Sequence, residues 1–257
     1  MNDPFETHNL NHLSASSINS YIANPARFIL QVSGYRDEIG IPAMWRGIAV
    51  DFAICALLDG ECEAHECLDI AKNKFSDLEH ASAQKCEEID LGKCNKEYES
   101  LHRYIEVAVP HYKGLGKPIQ TQAKIKIELD ELPVPIIGYT DLQYEHTLRD
   151  IKTVGRWTSK IPESTLRQMA IYEKATGKVA ILDYLYVTAK GAEVRSVPVQ
   201  DSDYHYDVVL QACKSIMKLL GTSDDIQEVA SLLMPDFDDW RWSEGERRAA
   251  KRLWRIV

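Results

Sequence analysis

The chain has 257 residues, a mass of 29.2 kDa and a formal net charge of -9. Its length suits one large domain, and 45% apolar with 27% charged residues is an ordinary composition for a globular protein. The negative charge argues against a protein that coats nucleic acid by bulk charge, but it does not exclude a local basic channel.

Three absences narrow the class of protein further. The longest apolar stretch, at 48–58, carries Asp51 near its start and is too short to span a membrane. The N-terminus has no basic segment followed by an apolar stretch, which argues against a secretory signal. Six cysteines are too few for a disulfide scaffold. We therefore expect a cytoplasmic protein without membrane contact.

The first half of the chain is predicted to be mostly helical. Residues 14–17 offer N-cap side chains ahead of apolar positions that continue to Phe28. Residues 47–58 are predicted to form an apolar helix. Two further stretches show helical spacing with charged outer faces: 63–80 and 84–112.

The middle of the chain changes to a period of two, which is typical of half-buried strands. The predicted strands are 120–129, 134–144, 148–153, 179–188 and 193–199. A helix at 163–176, stopped by Gly177, separates the third strand from the fourth. Helices return at 203–220, 226–233 and 244–254.

This order of elements predicts an α/β fold, in which a β-sheet is flanked by helices. Since no clean linker interrupts the chain, we expect a single domain with three parts. The helical part covers about 13–115, the sheet core about 118–200 and the helical tail about 203–257.

The chemistry is predicted to lie in the hairpin around residue 145. If its turn centres on residues 145–146, Asp141 lies opposite Asp150, and Lys152 shares a face with Asp150. Two facing carboxylates repel each other, and a hard divalent cation between them removes that repulsion. The neighbouring ammonium group adds a mobile positive charge. The hairpin is therefore a candidate metal site.

Asp51 is a second candidate ligand, because it lies within the apolar helix predicted at 47–58. A bare buried carboxylate is costly and normally needs a partner or a metal ion. The alternative is that Asp51 reaches the surface or pairs with an arginine such as Arg46. The sequence leaves both interpretations open.

The spacing Asp141-x8-Asp150-Ile151-Lys152 resembles the catalytic core of the PD-(D/E)XK nuclease superfamily. More narrowly, the chain resembles the RecB-type nucleases and related phage exonucleases. Four further segments agree with the family in order: an N-terminal helix at 14–28, an arginine-glycine helix at 46–51, the Gln168-x-x-x-Tyr172 motif, and the following strand at 183–188. The resemblance covers roughly residues 13–200.

The chain also departs from the family pattern. Thr140 stands where the family name promises proline, which leaves the ligand at Asp141 in place. Asp51 replaces a histidine or glutamate, and its shorter side chain changes the spacing to a metal ion. The cysteine of the iron-sulfur members is absent at Asn24, and no cysteine triplet follows the core, so we expect no iron-sulfur cluster.

The resemblance implies a restriction-endonuclease-like mixed sheet flanked by helices, with a helical N-terminal subregion. It implies that Asp141 and Asp150 hold one or two Mg²⁺ or Mn²⁺ ions, with Asp51 and the Ile151 carbonyl completing the ligands. Lys152 would orient or deprotonate the attacking water, and a lysine beside a dication is expected to have a lowered pKa.

The same resemblance gives roles to two residues on one face of the helix at 163–176. Gln168 and Tyr172 would steady the water, Lys152 or the DNA backbone. For Tyr172, ordinary core packing is an equally open interpretation.

DNA contacts are expected from bases near the site, where 149–178 carries seven bases and three acids. The candidates are Arg149, Arg156, Trp157, Lys160 and Arg167. Trp157 would stack on an unpaired base or wedge a duplex end, although ordinary packing is the alternative for this side chain.

These expectations add up to a metal-dependent DNA exonuclease in phage-like DNA recombination or processing. It would act on duplex ends or single strands, in the host cytoplasm if phage-encoded, with a single-strand annealing or recombination protein as a candidate partner and the oligomeric state open. The alternatives are a structure-specific endonuclease, a catalytically inactive nucleic-acid-binding module, or a helix-rich interaction protein with a small sheet.

Five cysteines lie close together in the helical part: Cys55, Cys62, Cys67, Cys86 and Cys94. A zinc site prefers short C-x2-4-C pairs, and only the spacing of Cys62 and Cys67 comes near to one. We therefore expect structural cysteines on helix faces.

Overall fold

The helices expected in the first half are present in a computed structural model, which describes residues 3–36, 40–84, 89–157 and 160–256. They are α2 (Ala15–Ala23), α3 (Pro25–Val32), α4 (Pro42–Asp59), α5 (Cys67–Ala83) and α6 (Leu91–Leu115), and a short helix that was not predicted, α1 (Pro4–Thr7), precedes them. A two-residue strand, β1 (Leu13–Ser14), precedes α2 and was not predicted from the sequence.

The first helical segment is divided into α2 and α3 at Asn24. Ser14 caps α2 through a reciprocal pair of hydrogen bonds with Ser17. Asn24 has an extended backbone, as expected before a proline, and its side chain accepts a hydrogen bond from the Arg27 backbone N–H. Pro25 then opens α3, since its missing N–H is not needed in the first turn of a helix.

The strands of the middle region form one mixed sheet with β1. They are β2 (Gln120–Leu129), β3 (Leu132–Gln143), β4 (Thr147–Val154), β5 (Val179–Thr188) and β6 (Gly191–Pro198). The order is β1-β3-β4-β5-β6, and β2 pairs with β3. The β4–β5 pair is parallel, which needs a crossover, and α7 (Glu163–Thr176) supplies it. The β2–β3, β3–β4 and β5–β6 pairs are antiparallel.

Helices cover both faces of the sheet. On one face, Leu148 and Leu182 pack in a core with residues of α2, α7 and α8 (Ser202–Leu220). On the other face, Ile151 and Leu185 pack with residues of α4, α5 and α6. Successive residues of a strand point to opposite faces, so β4 and β5 contribute alternate residues to the two cores.

The C-terminal tail is helical, as predicted. It contains α9 (Ile226–Ser231) and α10 (Glu244–Leu253) after α8. The Trp254 indole donates to the carbonyls of Ala230 and Leu233, both at 2.8 Å, and buried Glu246 pairs with Arg27 of α3 at 2.8 Å. The Trp254 bonds join the end of α10 to the α9 region within the tail, and the Glu246–Arg27 pair fixes the tail to the helical part of the chain.

The fold is therefore the predicted α/β class, a restriction-endonuclease-like mixed sheet flanked by helices with a helical N-terminal region. Within the described residues, no helix combines the length and apolar character that crossing a bilayer requires.

Candidate active site

The β3–β4 hairpin has the register that the sequence predicted. Residues 142–143 pair with 148–149, so Asp141 and Asp150 are the next opposed positions. The Ile151 backbone N–H donates to the Asp141 carboxylate at 2.7 Å. Asp141 is thereby held beside the strand that carries Asp150.

Asp150 and Lys152 project from the same face of β4, as expected for residues two apart in a strand. Lys152 Nζ lies 2.7 Å from Asp150 Oδ2, and the side chains are 32% and 3% exposed, respectively. The buried carboxylate is therefore balanced by an ammonium group that still reaches solvent.

Asp51 reaches the same site from α4 and is half-buried. Gln122 Nε2 donates to one carboxylate oxygen at 2.7 Å, and the Cys55 thiol lies 3.6 Å from the other. The alternative pairing with Arg46 is wrong, because that guanidinium binds Glu97 and the Thr153 carbonyl instead.

Burial acts on all three carboxylates, and repulsion from other members of the group acts on Asp51 and Asp141. Burial raises the pKa of Asp51 to about 6, and the charge of Asp150 adds to this rise. Contacts with Cys55, Lys152 and Gln122 act in the opposite direction. Burial and the charges of Asp150 and Asp51 raise the pKa of Asp141 well above its usual value. Burial also raises the pKa of Asp150, although Lys152 opposes the rise. Such a group of acids is stabilised by a nearby cation.

Lys152 supplies part of that positive charge. Burial by itself lowers the pKa of Lys152, but the neighbouring Asp150 and Asp141 carboxylates outweigh it, so the pKa lies above its usual value. The lowered pKa that was expected for Lys152 applies to the metal-bound state, in which the charge of the ion opposes protonation of the lysine. Without such an ion, Lys152 is an ammonium group.

Tyr172 and Gln168 come to this site from α7. Gln168 Nε2 donates to the Tyr172 hydroxyl at 3.0 Å, and the tyrosine is 4% exposed. The Tyr172 ring packs on Gly138 so closely that a Cβ there would stand 2.6 Å from the ring. Burial raises the pKa of Tyr172, with contributions from Asp150 and Asp141, so its hydroxyl lies within their electrostatic reach. Tyr172 is therefore both packed in the core and close to the carboxylates of the site.

Arg149, one of the expected DNA contacts, is held in an ion pair inside the fold. It lies on the opposite face of β4 from Asp150, and its guanidinium binds Asp183 Oδ1 and Oδ2 at 2.7 and 2.9 Å. Asp183 is fully buried, and Ser196 and His111 also contact it. Arg149 therefore balances a buried charge and, at 12% exposure, presents little of its side chain to solvent.

The other expected DNA contacts differ in their surroundings. Arg156 and Lys160 are exposed on the connection between β4 and α7, where residues 158–159 lie outside the described part. Arg167 is half-buried and donates from Nε to Asn19 at 2.7 Å, which links α7 to α2. The Trp157 ring meets the Tyr184 ring edge-on, with centroids 5.7 Å apart, and Arg195 lies 4.7 Å from its centroid.

Sequence reasoning missed Gln122 and Cys55 as neighbours of Asp51. Gln122 is one of several polar residues that alternate along β2, and nothing in that pattern distinguishes it. In the structure its φ of 44° falls in the left-handed region, which is costly for a residue with a side chain and is found mostly where function requires it. Its position depends on the fold.

Described cysteines other than Cys62 are buried, namely Cys55, Cys67, Cys94 and Cys213, which fits the structural interpretation. Cys86 lies outside the described residues. Across residues 3–36, 40–84, 89–157 and 160–256, no three His, Cys, Asp or Glu side chains are arranged to hold a metal ion as they stand.

The donor chemistry of the carboxylate cluster, defined as Asp51, Asp141 and Asp150, nevertheless fits a hard divalent cation. Its oxygens are the ligands that Mg²⁺ and Mn²⁺ prefer, and burial raises the pKa of all three carboxyls, which a bound cation would oppose. Each carboxylate at present faces a protein donor: Gln122, the Ile151 N–H or Lys152.

Comparisons with known proteins bear on the fold. No family model matches the chain, and no curated protein sequence matches it significantly. A crystal structure of a "Putative exonuclease" from Eubacterium rectale is similar, with a TM-score of 0.54 and 14% identity over 93% of this chain and 88% of that chain. The crystal structure of SSO0001 has 12% identity over 86% of this chain and 92% of that chain, but its TM-score of 0.34 is too low to indicate a shared fold. At these identities the likeness concerns the fold alone.

Proposed function

We propose that this chain is a metal-dependent DNA exonuclease of the PD-(D/E)XK superfamily, in the RecB-type and phage exonuclease-like branch. The observation that carries the proposal is the carboxylate cluster beside Lys152. Its members come from α4, β3 and β4, and they approach closely enough that their charges add to the raised pKa values of Asp51 and Asp141. Fold stability does not require such repulsion, whereas a divalent cation would relieve it.

Asp51, Asp141 and Asp150, with the Ile151 carbonyl, would hold Mg²⁺ or Mn²⁺. When bound, such an ion lowers the pKa of water and offsets charge on a scissile phosphodiester. An iron-sulfur cluster is not part of the proposal, because Asn24 occupies the position of the cluster members' N-terminal cysteine.

The side chains around the cluster would position the reacting groups. Asp150 holds the Lys152 ammonium 2.7 Å away, so that it points to one place and is available to orient water or to balance charge on the phosphate. Gln168 and Tyr172 form a hydrogen-bonded pair beside it, which would steady the water, Lys152 or the DNA backbone.

DNA would be gripped by the exposed bases on the β4–α7 connection. Arg156 and Lys160 have the exposure that phosphate contacts need, and Arg167 would contribute only the nitrogens that Asn19 does not occupy. Trp157 is next to Arg156 in the chain, and its ring contacts Tyr184, the β5 residue that pairs with Lys152. These contacts would give salt-sensitive binding with little sequence preference.

Action on DNA ends, as duplex or single strand, is proposed because the similar protein from Eubacterium rectale is described as a "Putative exonuclease". From the sequence resemblance we also propose that the protein acts in phage-like DNA recombination or processing in the cytoplasm. Its proposed partner is a single-strand annealing or recombination protein. No membrane partner belongs to this proposal, and a homo-oligomer is compatible with it.

The test is a digestion of linear duplex, circular duplex and single-stranded DNA with and without Mg²⁺, using wild type and Lys152→Ala. Magnesium-dependent loss of linear DNA alone, absent in Lys152→Ala, supports the exonuclease. Loss of circles as well indicates the structure-specific endonuclease. Binding without cleavage indicates the inactive module. If the protein does not bind DNA and does not cleave it, the proposal is contradicted altogether.

A further inference from the structure

A row of side chains leads from the candidate active site to the edge of the sheet. Lys152 of β4 pairs with Tyr184 of β5, which pairs with Arg195 of β6. Residues in register on neighbouring strands point to the same face, and strands lie about 4.8 Å apart. Arg195 is thus only two strands away from the active-site lysine, on the same side of the sheet.

Aromatic rings line this row and contact one another. We define the aromatic strip as Trp157, Tyr184, Tyr186 and Arg195. The Trp157 and Tyr184 rings meet edge-on with centroids 5.7 Å apart. The Arg195 guanidinium carbon lies 4.7 Å from the Trp157 centroid and 5.6 Å from that of Tyr186. The strip is therefore a continuous surface of π-systems with one cation held against them.

The strip is open to solvent where it meets the sheet edge. The Arg195 side chain is 42% exposed, and β6 is the last strand in the sheet order. Arg195 also pairs with Glu193, which is 49% exposed. An exposed ion pair of this kind contributes little to stability. Fold stability alone therefore gives no strong reason for a cation at this position.

We propose that the aromatic strip binds the unpaired nucleotides adjacent to the scissile phosphate of single-stranded DNA. The inference rests on the proposed nuclease function and deepens it by assigning a substrate form. Bases of a single strand expose their faces for stacking on Trp and Tyr, whereas bases of a duplex are stacked on each other. The guanidinium of Arg195 adds cation–π and phosphate interactions to the same site.

The chain offers a matched control for the strip. Arg241 lies 5.1 Å from the Trp240 ring centroid and pairs with Asp239, and its side chain is 38% exposed. This second arginine-on-tryptophan pair is in the C-terminal tail, between α9 and α10. It has the same chemistry as Arg195 on Trp157 but does not continue the row from Lys152.

The experiment measures fluorescence anisotropy of a labelled single-stranded oligonucleotide and of its blunt duplex, in EDTA so that metal-dependent cleavage is prevented. The variants are Trp157→Ala, Arg195→Ala, Trp240→Ala and Arg241→Ala, each checked for folding by its thermal midpoint. We expect Trp157→Ala and Arg195→Ala to raise the single-strand Kd roughly fivefold or more. Their duplex Kd and both control variants should stay within about twofold of wild type.

Trp157→Phe tests the stacking contribution, because it retains a ring and should recover most of the affinity lost in Trp157→Ala. If Trp157→Ala does not fold, Arg195→Ala decides the question, since its side chain is exposed. Single-strand affinity within twofold of wild type for Arg195→Ala overturns the inference, and so does an equal loss on duplex. A wild type that neither cleaves nor binds DNA refutes the proposed function instead.

Discussion

Ionisation of the Asp51 carboxyl is less favourable in the folded protein than in the unfolded chain. This carboxyl has a pKa of about 6 because it is shielded from water and lies near Asp150. The folded protein therefore binds a proton at Asp51 at a pH where the unfolded chain has released it. The contribution of this proton to the free energy of unfolding is fully present below pH 3.8, the pKa in the unfolded chain. It is lost as the pH rises through about 6, the pKa in the folded protein.

We expect Asp51→Asn to remove this pH dependence. The free energy of unfolding of wild type, taken relative to Asp51→Asn, should fall as the pH rises from about 4 to 7, because only wild type must bury a developing charge. Urea denaturation at a series of pH values, without divalent ions, measures this difference. A relative stability that is flat or rises with pH would show that Asp51 ionises freely in the folded protein.

At the scale of elements, the position of α7 depends on a glycine in β3. The Tyr172 ring lies where a side chain at Gly138 would begin, with only 2.6 Å available for a Cβ. The close approach brings the Gln168–Tyr172 pair to the carboxylate cluster, so helix placement and site geometry are linked.

Gly138→Ala is expected to destabilise the protein by about 1–3 kcal/mol, as overpacking of a core does. The ring must move, which should also lower any nuclease activity. Gly114→Ala is the matched control, because a Cβ at Gly114 meets nothing within 4 Å and alanine favours the helix. Thermal or urea unfolding of both variants makes the comparison. Equal stability of the two variants would contradict the packing argument.

The pairing of β4 with β5 includes the buried Arg149–Asp183 ion pair. Removing one partner of such a pair leaves an uncompensated charge, so we expect Arg149→Met to cost about 3–5 kcal/mol. The double variant Arg149→Met, Asp183→Asn should recover much of this loss. Arg156→Met, at an exposed position, should change stability by less than about 0.5 kcal/mol. Denaturant titration of the three variants tests these values, and a stable Arg149→Met would return Arg149 to the candidate DNA contacts.

At the scale of the whole molecule, an overall charge of -9 must be reconciled with binding to a polyanion. The solution lies in local charge, because the span 149–178 has four more bases than acids. Because Arg149 is held in a buried ion pair, the exposed bases closest along the chain to Lys152 are Arg156 and Lys160 on the β4–α7 connection. DNA binding through it should be strongly weakened by salt.

Arg156→Ala is expected to weaken DNA binding and to flatten its salt dependence. Loss of one phosphate contact lowers the slope of log K against log salt by about 0.7 to 0.9. Binding titrations at four or more salt concentrations give the slope for wild type and variant. Arg248→Ala in the exposed C-terminal helix serves for comparison. An unchanged slope for Arg156→Ala would remove that residue from the interface.

The sequence by itself determined the order of the main elements, the hairpin register and the shared face of Asp150 and Lys152. These follow from local rules, since a period of two fixes which residues share a face, and the turn at 145–146 fixes which residues are opposed. The motif spacing also selected Asp51, Gln168 and Tyr172, which the structure brings near the hairpin.

Only the tertiary structure decided what each of these groups contacts. Arg149 and Arg156 look alike in the sequence, yet one balances a buried carboxylate and the other is exposed. Gln122 and Arg195 had no distinguishing signal, because their neighbours are supplied by α4 and by the β4–α7 connection, which are distant in sequence. Periodicity sets the face on which a side chain lies, whereas burial and charge pairing depend on which distant segments pack against that face.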